Sequence, residues 1–259
     1  MKTEVLLRSI GRINDELIAD AESEANTKRK PGWAKLGIMA ACLALVLAVA
    51  LVIPTLTQQD QSIITENEPG VKLTLEEAMI EHCAPTLAGV KSAGLFRFSP
   101  QEPGRFARQF REWRGALDRR GLNLLVLKRC RRTGAYLLYI YRESVLSREL
   151  AAPQVRTYLA ELGYHAGGEC RALLRQLAGR LCFQEEFPHE IGLFLGYPLE
   201  DVKGFIQNKG QGYACCGLWK SYGDPRAARR YFDRCRACTA AYKRRYAAGV
   251  PLERLIVAA

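Results

Sequence analysis

Apolar and polar positions divide the chain into four parts. In residues 1–35, Leu6, Leu7, Ile10, Ile13, Leu17 and Ile18 recur at helical spacing among Asp15, Glu16 and Asp20, which predicts an amphipathic segment. Leu36 to Leu56 follow as 21 residues without a charge. At 1.5 Å per residue that run extends about 31 Å, enough for the roughly 30 Å hydrocarbon layer of a bilayer. A core helix would carry a polar side and this one has none, so the run reads as a transmembrane helix. Ala48-Val49-Ala50 also fits a signal-peptide cleavage site, but a long polar segment precedes the run and apolar residues follow the would-be cut, which favours a retained anchor. Residues 57–71 are polar, contain Pro69-Gly70 and lack periodicity, as a linker does.

Residues 72–259 read as one globular domain of the α+β class, mainly helical with a small antiparallel sheet around a central hairpin. Thr74 and Glu77 form a capping box that opens a short helix toward His82. Gly94 to Phe98 alternate like a strand, and Phe106, Phe110, Trp113 and Leu117 make one stripe of a helix bounded by Pro103 and Gly121. Leu122–Cys130 and Ala135–Glu143, nearly all apolar, flank Arg-Arg-Thr-Gly and predict the hairpin. Helices are expected near 153–162, 170–182, 188–195 and 198–207, a strand at 213–219, a long helix at 225–247 and a short last element at 254–257.

Charge bears on orientation and partners. The chain carries a formal +11, and residues 1–56 hold 7 Lys and Arg against 6 Asp and Glu, so +10 falls in residues 57–259. Lys28, Arg29, Lys30 and Lys35 precede the apolar run and Asp60, Glu66 and Glu68 follow it, which places the N-terminus in the cytoplasm and the C-terminal domain outside. A tethered basic domain suits anionic lipid headgroups or a protein partner. Nucleic acid is not the expected partner, because no helix-turn-helix, RNP or zinc-finger signature accompanies the arginines.

Candidate chemistry lies in histidines and thiols. Cys42 falls in the apolar run, and eight cysteines lie in the domain. Cys235 and Cys238 share a helix face, the geometry of two metal bonds or a redox pair, whereas Cys215 and Cys216, if in a strand, point to opposite faces. At most one of Cys215 and Cys216 joins the Cys235–Cys238 pair, and His82 and His189 are the nitrogens that could complete a metal set. Pro188 in the first turn of a helix places His189 and Glu190 near its N-terminus, and His82 and Cys83 close a helix before Pro85. If those segments meet, His82, Cys83, His189, Glu190 and one of Cys215 or Cys216 supply a nucleophile, a base and ligands. The cofactor such a set implies is a metal ion. The competing reading is that the cysteines fill a core.

Three stretches, Glu81 to Phe96, Phe187 to Asp224 and the closing segment from Cys238, resemble a bacterial family known only as domain of unknown function 3793, over about residues 74–259. The resemblance implies no activity. It implies a mostly soluble family, from which the apolar N-terminal run departs. Two functions follow: a membrane-anchored domain that binds a metal or small ligand, or does thiol chemistry, through His and Cys; or a non-catalytic tethered interaction module with a basic surface.

Overall fold

The computed structural model describes residues 73–259 except 166 and 185. The amphipathic segment, the apolar run and the linker lie outside the described residues. Among the described residues no helix is long and apolar enough to cross a membrane.

The first helix, α1 (Leu75–Leu87), opens on the expected capping box: Thr74 Oγ1 accepts from the Glu77 amide, and the Glu77 carboxylate accepts from Thr74 N at 2.8 Å. The helix does not stop at Cys83. It continues through Pro85, whose missing donor would have served the carbonyl of Glu81, an exposed residue in mid-helix. It ends in a Schellman motif, with Val90 N donating to Pro85 O at 2.8 Å and Gly89 N to Thr86 O at 3.2 Å. Gly89 takes φ +77°, a left-handed conformation that glycine adopts without a Cβ clash.

Strand β1 (Ala93–Phe98) follows, then α2 (Pro103–Asp118), β2 (Leu122–Arg129) and β3 (Tyr136–Arg142). Sheet order is β1-β3-β2, antiparallel throughout. The expected hairpin is present, but only β3 is central, and β2 is an edge strand with an irregularity between Val126 and Lys128. Every residue of β3 is buried. Tyr136, Leu138 and Ile140 face one core, and Leu137, Tyr139 and Tyr141 face the other. A period-two strand apolar on both faces has to be covered on both, and it is.

On the first face lie α1, α2 with its buried Phe106, Phe110, Trp113 and Leu117, and the C-terminal half of α8 (Pro225–Ala247). On the second lie α3 (Glu143–Ala151), α4 (Pro153–Glu161), α5 (Cys170–Phe183), α6 (Ile191–Phe194) and α7 (Leu199–Gln207). Helix α3 begins where β3 ends, with no turn between them, and the sequence pattern does not show it. The expected helix over 188–195 is a turn followed by the four residues of α6. The expected strand over 213–219 contracts to β4 (Cys215–Cys216), paired with β5 (Lys220–Ser221) in a tight hairpin. The short last element is α9 (Leu252–Leu255), just before the expected position.

Arg142, 3% exposed, ties the two ends of the domain. Its guanidinium donates to Thr86 O at 2.8 Å, Leu87 O at 2.9 Å and Val257 O at 2.6 Å, placing a cation on the last carbonyls of α1, where the helix dipole favours one. The tail after α9 completes the join, with Val257 N donating to Leu87 O and Ala259 N to Arg120 O.

Candidate functional site

The structure distributes the sequence-predicted residues over three places. His82 stacks on Phe96 on the α1 face of the sheet, 5.7 Å between ring centres. Burial lowers its pKa, against the raising effect of Glu81. Glu190 lies on the opposite face, buried, accepting from Tyr164 Oη at 3.0 Å and paired with Arg180 at 3.3 Å. His189 is exposed beside Phe187 and Phe205, in the turn before α6 and not in a helix. The sheet therefore separates His82 from Glu190, and the five-residue pocket imagined from the sequence is not assembled.

Cys215 points inward, its Sγ 3.9 Å from Pro225 O, and Cys216 points outward, as strand geometry requires. Cys235 is buried on α8 and Cys238 is half-buried one turn on, against the first core. All eight cysteines of the domain are unpaired. Among the described residues no three His, Cys, Asp or Glu side chains gather as a metal ion would need.

Cys83 and Cys235 instead flank a residue that sequence reasoning passed over, Lys91. The Schellman turn fixes it, with Lys91 N donating to Pro85 O at 3.1 Å, and Tyr231 Oη of α8 clamps the adjacent Val90 O at 3.1 Å. The Lys91 amine lies over the Tyr197 ring, 4.8 Å from its centre. Around it stand the Cys83 and Cys235 thiols and, at the rim, Glu149. Among the described residues no carboxylate reaches ion-pairing distance of the amine. Burial pushes its pKa down to about 8, and Cys83, Cys235 and Glu149 offset only part of that effect. Burial likewise raises Cys83 to about 12, and it raises Cys235 against the pull of Lys91. Burial also lifts the Glu149 carboxyl above the ordinary carboxylate range, opposed by the neighbouring Ser92 and Arg148. Close packing holds the set in place: a Cβ at Gly94 of β1 would lie 2.6 Å from Cys83 Sγ.

A second feature lies across the same aromatic wall. Tyr197 stacks on Trp219 at 4.4 Å, and Trp219 meets Phe232 edge-on at 4.6 Å. Beyond this wall a half-open cleft is lined by His189, Ile191, Gly192, Asp201, Val202, Phe205 and Lys220. Asp201 is spent on structure: its carboxylate accepts from Trp219 Nε1 at 2.7 Å, Ser221 Oγ at 3.1 Å, Tyr222 N at 2.6 Å and Gly223 N at 3.0 Å. Those bonds fasten the β4–β5 hairpin to α7.

The outer face of α8 exposes Arg226, Arg229, Arg230 and Arg234. The model of a family described as "protein of unknown function (DUF3793)" matches residues 79–256. No curated protein and no solved structure matches the chain. The chain belongs to that family.

Proposed function

We propose that the domain of this family member binds a small carbonyl-bearing ligand at Lys91 and holds it by condensation with the amine. The observation that carries the reading is an amine packed over Tyr197 between two thiols, without a carboxylate partner. With a pKa of about 8 in place of 10.5, the reactive free-base fraction at pH 7 is about 300-fold larger than for an ordinary lysine. The Nζ lone pair attacks the carbonyl carbon, the carbonyl oxygen takes up protons, and water leaves, giving an imine. Glu149 stands at the rim, its carboxyl raised toward neutrality, as the nearest acid able to deliver a proton. Cys83 and Cys235, kept protonated at neutral pH, pack beside the amine and do not act as nucleophiles.

Reductive trapping tests this. The full chain is treated with pyruvate and cyanoborohydride at pH 7 and mapped by peptide mass spectrometry. Lys91 is expected to be modified at least tenfold faster than the exposed Lys209 and Lys243, and to lose that lead in denaturant. Equal rates in the native protein overturn the reading.

The exposed arginines of α8 favour a second reading, a membrane-tethered module that docks on anionic lipid headgroups through Arg226, Arg229, Arg230 and Arg234. In both readings Leu36 to Leu56 anchor the chain, with the N-terminus cytoplasmic. Labelling intact cells with a membrane-impermeant thiol reagent, before and after reduction, reports the side: an external domain is labelled without lysis, and labelling that needs lysis reverses the orientation.

A further inference from the structure

Lys220 is a cation in an unusual position. The residue is 8% exposed, on the two-residue strand β5, and among the described residues it has neither a carboxylate within ion-pairing distance nor a hydrogen bond to its amine. Two rings flank the amine, Phe205 at 5.7 Å and Tyr213 at 5.4 Å from their centres. Cation–π contacts at those distances replace only part of the hydration lost on burial. Asp201, the nearest carboxylate along the cleft, has four donors of its own and makes no ion pair with Lys220. A lysine buried along its length, with its amine open only to a cleft and without a counter-charge, is the arrangement that an anion completes.

The amine has a route to that anion. Lys220 lines the cleft that His189, Phe205, Tyr197 and Trp219 also line, and the cleft is open on one side. Its free space is about 30 Å³, above the roughly 10–15 Å³ that holds one water on the same measure. That space admits one or two oxygens of an oxyanion, with the rest of the molecule toward the open side. His189 lines the same cleft, exposed, with its ring 5.0 Å from that of Phe205.

From these observations we infer that the cleft between α7 and the β4–β5 hairpin is an oxyanion site, with Lys220 binding one oxygen and His189 a second, beneath the Trp219 and Phe205 rings. Its ligand is a phosphate or a carboxylate, either free or carried on a small organic molecule whose body rests on the rings. The site is independent of the condensation at Lys91, because a different amine on the other side of the Tyr197–Trp219 wall forms it.

Trp219 lines the cleft and reports on it. The full chain is titrated at constant ionic strength with inorganic phosphate in one arm and phenyl phosphate in the other, and tryptophan fluorescence is followed. A saturable change in either arm, weakened at least tenfold in Lys220→Met and several-fold in His189→Gln, supports the site. Tighter binding of phenyl phosphate identifies an organic anion as the ligand, and equal binding identifies the free ion. His189 is exposed, so His189→Gln tests the site even if Lys220→Met fails to fold. A linear, non-saturable response in both arms, or saturation that both variants retain, overturns the inference.

Discussion

Replacing Lys91 with methionine should stabilise the protein. The side chain keeps its length, the charge goes, and with it goes the cost of holding an ammonium away from water. A pKa near 8, against 10.5 in the unfolded chain, places that cost at about 3 kcal/mol at pH 7, taking 1.36 kcal/mol per tenfold in the proton equilibrium. Losing the contact with the Tyr197 ring returns about 0.5–1 kcal/mol, so the net gain is about 2–3 kcal/mol. The sign with pH follows from linkage. Between pH 8 and 10.5 the unfolded chain holds a proton that native Lys91 has released, so the wild type gains stability across that window and the advantage of Lys91→Met shrinks. Thiols act the other way, since native Cys83 keeps its proton to about 12 and stability falls once unfolded thiols ionise near 9. Removing Lys91 only raises Cys83 further, so the native thiol stays protonated through pH 10 in both proteins and its contribution cancels in their difference. Urea unfolding of full-length protein in mild detergent, followed through the buried Trp113 and Trp219, gives the difference at pH 7 and at pH 10. A variant less stable than wild type at pH 7, or a difference that does not change with pH, refutes the reasoning.

Two further outcomes are expected. Arg142→Ala should destabilise the domain by about 2–4 kcal/mol, because three charge-assisted hydrogen bonds go and Val257 O loses its donor, whereas Thr86 O and Leu87 O keep Gly89 N and Val257 N. Arg142→Lys should recover only part of that, since one ammonium cannot span Thr86, Leu87 and Val257; urea midpoints of the two variants rank them. Iodoacetamide at pH 7.5 should modify Cys130 before the buried thiols. At the hairpin tip, hydrogen bonds from Thr133, with help from Arg132, lower its pKa, whereas Cys83 and Cys235 should resist until the protein unfolds. Labelling of Cys83 ahead of Cys130 in a time course would contradict the assigned protonation states.

Elements whose faces repeat within one window were legible in the sequence. The stripe Phe106, Phe110, Trp113 and Leu117 belongs to α2 alone, and the run of β3 announces a strand covered on both faces. Where backbone continuity or tertiary contact decides, local pattern misleads. No glycine, proline or cap separates β3 from α3, so the pattern gives no boundary there. Pro85 reads as a stop, yet α1 extends past it because Gly89 and Arg142 satisfy the helix end from elsewhere. Around His189 the apolar Ile191 to Phe194 suggested a longer helix than the turn allows. Two of the thiol candidates, Cys83 and Cys235, do come together, but around a lysine that the sequence reading passed over. Lys91 draws its surroundings from α1, α3, α8 and the Tyr197 turn, and no spacing along one segment reveals such a set. The signal available was a single lysine within the apolar stretch from Ala84 to Phe96, and Lys220 gives the same signal within Cys215 to Tyr222.

Arg142 also sets an order on biosynthesis. Ribosomes deliver the chain from the N-terminus, so the sheet, α1 and the guanidinium are all made well before Val257 emerges. Until then the guanidinium lacks one acceptor, and the α1 terminus lacks the strand-like tail that donates to Leu87. The join between α1 and the tail thus closes only after Val257 has been made. Any truncation upstream of Val257 should therefore cost the cooperativity of the whole fold and not merely trim an end.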